Sequence, residues 1–190
     1  MNTLTTPSTR TAWDIDTSHS SVGFTVRHLV ISKVHGRFSR WSGTLLLDEA
    51  QPAASSIEAR IETASIDTNE PQRDAHLRSA DFFDAGKHPE ITFRSTDVES
   101  AGEGRYRMTG ELAIAGTTRK AVLEVEALGK VKDPWGGERA GFSARTTIDR
   151  RDYGLTWNQA LETGGVVVGE KVETALEIEA VQRVEQPATT

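Results

Sequence analysis

Cysteine is absent from this 190-residue chain. Its absence excludes disulfide frameworks, thiolate nucleophiles and cysteine-bound zinc. Basic residues are in deficit, because 22 Lys and Arg stand against 28 Asp and Glu, and the formal net charge is −6. A nucleic-acid-binding surface needs a basic face or stripe, so we expect no nucleic-acid partner.

The sequence also lacks an apolar run of about 18 residues, the length that a membrane-spanning helix needs. Its start, MNTLTTPSTRT, shows no basic segment followed by an apolar one, which is the pattern of a secretory signal. We therefore expect a soluble, cytoplasmic protein with no integral membrane segment. Small polar residues predict flexible tails at 1–11 and 183–190 around a single domain at 12–182.

An alternation of apolar and polar residues with a period of two recurs along the domain. It places Val22, Phe24, Val26 and His28 on one face of an extended strand. Strands are predicted at 12–18, which leads into the next, and at 22–31, 34–48, 56–66, 90–99, 104–115, 119–130, 139–149 and 169–182. Long antiparallel strands whose edges must be removed predict an all-β fold, an eight-stranded lipocalin-like β-barrel.

Two segments interrupt this alternation. Pro71 suits the first position of a helix, and apolar and polar residues spaced three and four apart predict a short helix over about 71–80. The aromatic pair Phe82 and Phe83 follows it and is interpreted as a plug over one end of the barrel. A long loop is predicted near 152–168.

Several inward positions hold residues too small to fill a barrel, among them Ala59, Gly110 and Ala144. Either bulky partners across the barrel fill the space, as in ordinary packing, or a long apolar cavity remains. The residues predicted to line such a cavity are Phe24, Val26, Phe38, Phe93, Met108, Leu112, Phe142 and Ile148, with Phe82 and Phe83 at one end. A cavity of this shape would select an elongated hydrocarbon.

Three polar residues are further candidates for contact with a ligand. His28 ends an apolar face, where it would orient a head group or would be a core histidine with a hydrogen-bond partner. Arg73 and His76 share one face of the predicted helix, where they would meet an anionic head group or would pin the helix to the barrel.

Catalytic and metal-binding patterns are absent or weak. The five histidines show no H-x-H or HExxH spacing, and no glycine-rich phosphate loop follows a strand. We therefore predict no catalytic residue, no metal and no cofactor. The leading hypothesis is a non-enzymatic protein that binds, transports or sequesters a long apolar molecule. The alternatives are an enzyme acting on a small isoprenoid or lipid through His28, His76 and Arg73, and a structural interaction module.

Several blocks of the sequence resemble the YceI-like family. They are DTSHS at 16–20, VGFTVRH at 22–28, VHGRF at 34–38, RDAHLRSADFF at 73–83, HPEITF at 88–93, GELAIAGTT at 110–118 and RDYGL at 151–155. The resemblance covers about residues 13–181, and the RDAHLRSADFF block is the most specific part of it.

The resemblance implies a lipocalin-like barrel with a long pore. In characterised relatives that pore holds a polyisoprenoid, an isoprenoid quinone or a fatty amide chain, so it implies a polyisoprenoid, quinone or fatty-acid-derived ligand here. Relatives are often dimers, which makes a homodimer one arrangement to expect. Many relatives carry a secretory signal, whereas the expectation for this sequence is an intracellular ligand pool.

Overall fold

Eleven strands and one α-helix make up the regular structure of residues 10–162 and 165–183, the part of the chain that this computed structural model describes. The strands are β1 (Thr11–Ile15), β2 (Ser21–His28), β3 (Ser32–Phe38), β4 (Trp41–Leu47), β5 (Ser56–Glu62), β6 (Ile66–Asp67), β7 (Glu90–Gly102), β8 (Arg105–Ile114), β9 (Thr117–Lys132), β10 (Glu138–Asp149) and β11 (Val168–Gln182). The helix α1 spans Pro71–Arg78, and short 3₁₀ turns cover Pro52–Ala54, Thr63–Ser65 and Arg150–Tyr153.

These strands form a closed antiparallel barrel with eight strand positions. β1 and β2 follow one another along the same edge of β11, so together they fill one position. β3 with β4, and β5 with β6, likewise share a position. The pairs Trp13 with Gln182 and Ile15 with Ala180 close the barrel between its first and last strands. The predicted eight-stranded β-barrel is therefore confirmed.

Some strand boundaries differ from the prediction because the alternation continues through breaks in the backbone. The predicted strand 22–31 ends at His28, since residues 29–31 form a turn. The stretch 34–48 is interrupted at Ser39 and Arg40, and 56–66 is interrupted by the 3₁₀ turn at Thr63–Ser65. Ser39 N donates to Ser65 O at 3.1 Å, so the two interruptions lie side by side.

The helix α1 begins at Pro71, as predicted, and ends at Arg78, two residues before the predicted end. Pro71 has no amide proton to leave unpaired, and the Glu70 side chain accepts hydrogen bonds from the next two free amides, those of Gln72 and Arg73. Arg78 donates to two main-chain carbonyls of residues 64–66. These bonds hold α1 across one end of the barrel, here called the helix end.

The described residues of the predicted loop, 152–162 and 165–168, are mostly irregular, apart from the 3₁₀ turn that ends at Tyr153, a bridge between Ala160 and Val166, and Val168, where β11 begins. The predicted tails lie largely outside the described residues, although Thr11 belongs to β1 and Arg183 pairs with Asp14. Within the described ranges no helix has the length and hydropathy of a membrane span.

Buried apolar side chains collect at the two ends of the barrel. At the helix end the buried cluster contains Phe82, Ile91, Ile114, Tyr153 and Leu155. At the opposite end Trp13, only 1% exposed, packs with Leu45, Ala140 and Ala180. The large indole lies against two alanines, which is large-to-small packing. The middle of the barrel lies between the two clusters.

Candidate ligand-binding cavity

A cavity of about 500 Å³ occupies the inside of the barrel. Apolar side chains from all eight strand positions dominate its wall. Two of the small inward residues noted in the sequence, Ala59 and Ala144, belong to the lining. The lining also includes the side chains predicted from the alternation, namely Phe24, Val26, Phe38, Phe93, Met108, Leu112, Phe142 and Ile148, and the predicted plug residues Phe82 and Phe83. A concave, mostly apolar volume of this size is typical of a small-molecule site.

Two glycines keep large rings against the wall and out of the cavity. Phe24 on β2 lies opposite Gly36 on β3, and a Cβ added to Gly36 would come within 2.2 Å of Phe24 Cζ. Phe93 covers Gly110 in the same way, with its Cζ 2.4 Å from the position of the missing Cβ. A larger residue at Gly36 would push the ring of Phe24 inward, whereas a Cβ at Gly110 would also come within 2.6 Å of the main-chain oxygen of Arg94. The two glycines therefore set the width of the cavity.

A row of aromatic rings leads from the wall to the helix end. The ring centres of Phe24 and Phe38 are 5.7 Å apart, and Phe38 meets Phe83 edge to face at 6.1 Å. Phe82, which is buried, packs against the indole of Trp157 at 5.3 Å. The predicted plug residues thus lie where α1 crosses the barrel, and they form the floor of the cavity.

The opposite end carries an ion pair and is here called the ion-pair end. The segment 48–55 connects β4 to β5 there, and Glu49 in that segment forms a salt bridge with Lys130 of β9. The Lys130 ammonium also lies 5.6 Å from the ring centre of Trp13, within cation–π range. Charged and hydroxyl groups are therefore part of the cavity wall at this end.

Arg150 is a buried cation at the helix end, with 4% of its surface exposed. Its guanidinium donates to the main-chain carbonyls of Leu155, Trp157, Val168 and Gly169. Burial lowers its pKa, although an arginine remains charged. Four carbonyl dipoles solvate the charge, and in return the guanidinium joins the start of β11 to the loop that precedes it. We assign Arg150 to the support of this end of the barrel.

The three predicted polar residues lie outside the cavity lining and have separate partners. His28 is the last residue of β2, where it pairs with Ser32 and Val168. Arg73 donates to Thr68 through both Nε and Nη2 at 2.7 Å, which pins α1 to the residue after β6. The pinning alternative therefore describes the observed contact. A ligand contact or a catalytic role for these residues stays a prediction.

His76 has the remaining set of partners on α1. Its Nε2 lies 2.9 Å from Asp81 Oδ2, and its ring meets the rings of Phe82 and Trp157 edge to face at 5.1 and 4.7 Å. The imidazole is thus wedged between the two aromatic side chains that close the helix end, and 39% of it remains exposed.

One group of residues brings several potential metal ligands together. Atoms of Asp16, His19 and Glu179 lie within 4.8 Å of one another. Arg139 donates to both carboxylates of this group. Hydrogen bonds from Ser18, His19 and Arg139 hold the pKa of Asp16 well below its usual range. A guanidinium already occupies the place where a cation would neutralise these carboxylates.

Two features of the cavity were not predicted from the sequence, namely the buried Arg150 and the contact between Gly36 and Phe24. Arg150 follows Ile148 at the next inward position, so a charged residue there breaks the apolar alternation and is a visible signal. The Gly36 and Phe24 contact depends on strand register, which alternation alone does not supply. The pairing of β2 with β3 supplies it.

Comparison with known proteins places the chain in a family. The sequence model of the YceI-like domain matches residues 13–180. The chain belongs to the YceI family. Among its relatives in that family, a UPF0312 protein of Ectopseudomonas mendocina is 40% identical over 172 residues, which cover 90% of this chain and 87% of the relative. A UPF0312 protein of Vibrio cholerae is 43% identical over 143 residues, 74% of this chain and 76% of that protein.

Solved structures share the barrel of this YceI-family chain. The Campylobacter jejuni YCEI protein superposes with a TM-score of 0.71 at 33% identity, covering 83% of this chain and 90% of that one. A polyisoprenoid binding domain from Saccharophagus degradans superposes with a TM-score of 0.64 at 15% identity, covering 91% of this chain and 99% of the domain. At that identity the second likeness shows the fold.

Proposed function

We propose that this protein binds a long apolar molecule inside its barrel and carries or sequesters it without chemical change. The ligand class is a polyisoprenoid, an isoprenoid quinone or a fatty-acid-derived chain. The main support for the proposal is the apolar cavity of about 500 Å³ between two packed ends of a closed barrel.

The energetics of such a cavity favour a hydrocarbon chain. Each buried CH₂ group contributes about 0.8 kcal/mol, so a chain of about a dozen carbons gains more than about 8 kcal/mol before the cost of ordering it. Few polar contacts are needed for this affinity. The polar groups at the ion-pair end, among them Glu49 and Lys130, are suitably placed to meet a head group.

The family supports the same class of ligand. The Saccharophagus degradans domain with this fold is described as polyisoprenoid binding, and this chain shares its barrel. The separate partners of Arg73 and His76 favour a binding role over an enzymatic one, because these side chains already serve the packing of α1.

Native mass spectrometry of the purified protein, followed by solvent extraction and lipid analysis, tests the proposal. We expect a bound apolar molecule, or uptake of added geranylgeraniol and hexadecanol with the probes recovered unchanged. A wild-type barrel that remains empty and takes up neither probe would contradict the proposal. Chemical conversion of a probe would contradict its non-enzymatic part.

A variant that fills the cavity provides the matched comparison. Ala144 on β10 lines the cavity and is 6% exposed, whereas Ala175 on the neighbouring β11 is exposed on the outer surface. We expect Ala144→Phe to abolish uptake of both probes and Ala175→Phe to leave uptake unchanged. Circular dichroism melting curves check that both variants fold. Equal uptake by a folded Ala144→Phe variant would place the ligand elsewhere.

A further inference from the structure

The turn between β2 and β3 exposes apolar side chains in a strained backbone. Ile31 is 87% exposed and Val30 is 59% exposed. Leu29 and Val30 have φ angles of 52° and 66°, in the left-handed region that bulky and β-branched residues rarely adopt. Such strain persists where surrounding structure enforces it and often marks a functional segment. The three residues 29–31 are here called the apolar tip.

The hairpin that carries the apolar tip is basic in an acidic protein. Residues 21–38 contain no Asp or Glu, although the chain as a whole has a formal charge of −6. Arg27 and Lys33 lie directly opposite each other on the two strands, next to the tip. Like charges in that arrangement repel. Lys33 has a neighbouring carboxylate on β11, Glu173, at 3.3 Å.

Arg27 differs from the other cations of the hairpin. Lys33 and Arg37 form salt bridges with residues of other strands, whereas no acidic partner of Arg27 is found among residues 10–162 and 165–183. An exposed apolar tip, two bulky residues at positive φ and two facing cations each cost stability. Because these three costs occur together at one short turn, we expect a binding partner that offsets the lost stability.

We propose that the β2–β3 hairpin docks the protein onto the surface of an anionic lipid bilayer. The apolar tip enters the boundary between head groups and acyl chains, and Arg27 and Lys33 meet lipid phosphates. Apolar side chains surrounded by basic ones are the pattern of interfacial membrane binding. The basic hairpin is electrostatically complementary to such a surface.

The size of the tip favours a bilayer over a folded protein as partner. A stable protein interface buries about 800 Å² on each side, far more than three residues at the end of a hairpin offer. A bilayer accepts a narrow apolar wedge of this kind, because insertion needs depth and not a wide complementary surface.

The docked hairpin lies beside one end of the cavity. Val26 on β2 and Val168 on β11 both line the cavity, and Val168 pairs with His28 next to the tip. Docking would therefore bring the helix end of the barrel to the membrane, where an apolar ligand resides. In this respect the inference rests on the proposed function.

Vesicle flotation at low ionic strength tests the docking. Wild-type protein is mixed with vesicles of phosphatidylglycerol and phosphatidylcholine in equal parts, or of phosphatidylcholine alone. We expect partition into the anionic vesicles that weakens with added salt. The double variant Val30→Asn, Ile31→Ser should partition at least about tenfold less, and Arg27→Gln about fivefold less.

Two control variants lie at the ion-pair end. Trp135→Ser removes a side chain that is 85% exposed at the β9–β10 turn, and Arg105→Gln removes an exposed cation. Both should leave the partition unchanged. Because asparagine tolerates positive φ, the Val30→Asn, Ile31→Ser variant should melt no earlier than the wild type. Circular dichroism melting curves measure this, and an unchanged melting temperature excludes unfolding as the cause of lost binding.

Three results would each overturn the inference. The wild type does not partition into anionic vesicles, it partitions equally into neutral vesicles, or Trp135→Ser reduces the partition while the tip variant does not. Probe uptake in solution separates this result from the proposed function. Tip variants should take up geranylgeraniol like the wild type. A protein that docks on vesicles and yet takes up no probe would refute the proposed function alone.

Discussion

Replacement of Gly36 by alanine provides a direct test of how the cavity is shaped. The new Cβ would lie 2.2 Å from Phe24 Cζ and 2.7 and 2.8 Å from the two Cε atoms. Contacts this short must be relieved. The neighbouring β2 and β3 backbones are fixed by their ladder, so the ring of Phe24 has to swing into the cavity.

The size of the effect follows from the space that the ring takes. Overpacking a core costs about 1–3 kcal/mol, and we expect about 1 kcal/mol for Gly36→Ala because the ring can move into open space. A ring that displaces two to three CH₂ groups of the ligand should cost about 2 kcal/mol of binding, which is about thirtyfold in Kd.

The change in Kd is measured by titrating the protein with geranylgeraniol and recording the displacement of a bound fluorescent fatty-chain probe. Gly23→Ala on the paired strand β2 is the matched control, because its Cβ would meet nothing closer than Ala175 O at 3.4 Å. Phe24→Leu should restore binding in the Gly36→Ala background, as a double-mutant cycle would show. Unchanged affinity in Gly36→Ala, or equal losses in Gly23→Ala, would refute the assignment of Gly36 as a determinant of cavity width.

Three further predictions concern stability and are measured by urea denaturation. Arg150→Met leaves buried carbonyls such as Leu155 O without their donor and should cost at least about 3 kcal/mol; a variant as stable as the wild type would contradict the role given to Arg150. Hydrogen bonds from Arg151 lower the pKa of Asp149 in the folded protein. The charged carboxylate therefore stabilises the fold above the pKa of an unfolded aspartate, about 4. This stabilisation is lost as the pH falls from there through the folded pKa. Asp149→Asn weakens the hydrogen bonds from the Arg151 guanidinium and should therefore cost about 1–2 kcal/mol at pH 7. The difference in the free energy of unfolding between variant and wild type should narrow below pH about 4, and a difference independent of pH would argue against a role of the charge. Thr63 Oγ1 is buried without a hydrogen-bond partner among the described residues, so Thr63→Val should raise the free energy of unfolding by about 1 kcal/mol, whereas a loss of stability would indicate a partner.

The longer strands show how far alternation alone reaches. The predicted strands at 104–115 and 139–149 agree with β8 and β10 to within one residue at each end. The pairings of β8 with β9 and of β10 with β11 run without a register shift, so side chains along both strands alternate between the interior and water. In such strands the alternation of apolar and polar residues directly predicts which side chains are buried.

The turn at Leu29–Ile31 shows where that reasoning fails. Three successive apolar residues follow the alternating strand, so they are read as its continuation to residue 31. The structure turns the chain there instead, with Leu29 and Val30 at positive φ. No local preference predicts such angles for these residues. The pairing of β2 with β3 and β11 enforces them.

The polar candidates illustrate the same division within the site. The helix that carries Arg73 and His76 is visible in the sequence, and so is the aromatic pair that follows it. Whether those side chains face the cavity depends on how α1 lies against the barrel. Hydrogen bonds from Arg73 to Thr68, and from Arg78 to carbonyls near β6, set that orientation.

The fold class and the apolar character of the barrel interior are predictable from the sequence, because a period of two in hydrophobicity indicates half-buried strands. The family is predictable from blocks such as RDAHLRSADFF at 73–83. The open volume inside the barrel is visible only in the folded molecule. Residues far apart in the chain meet across the barrel, and the register between strands, such as Phe24 over Gly36, decides whether a large side chain fills the interior or lies against its wall.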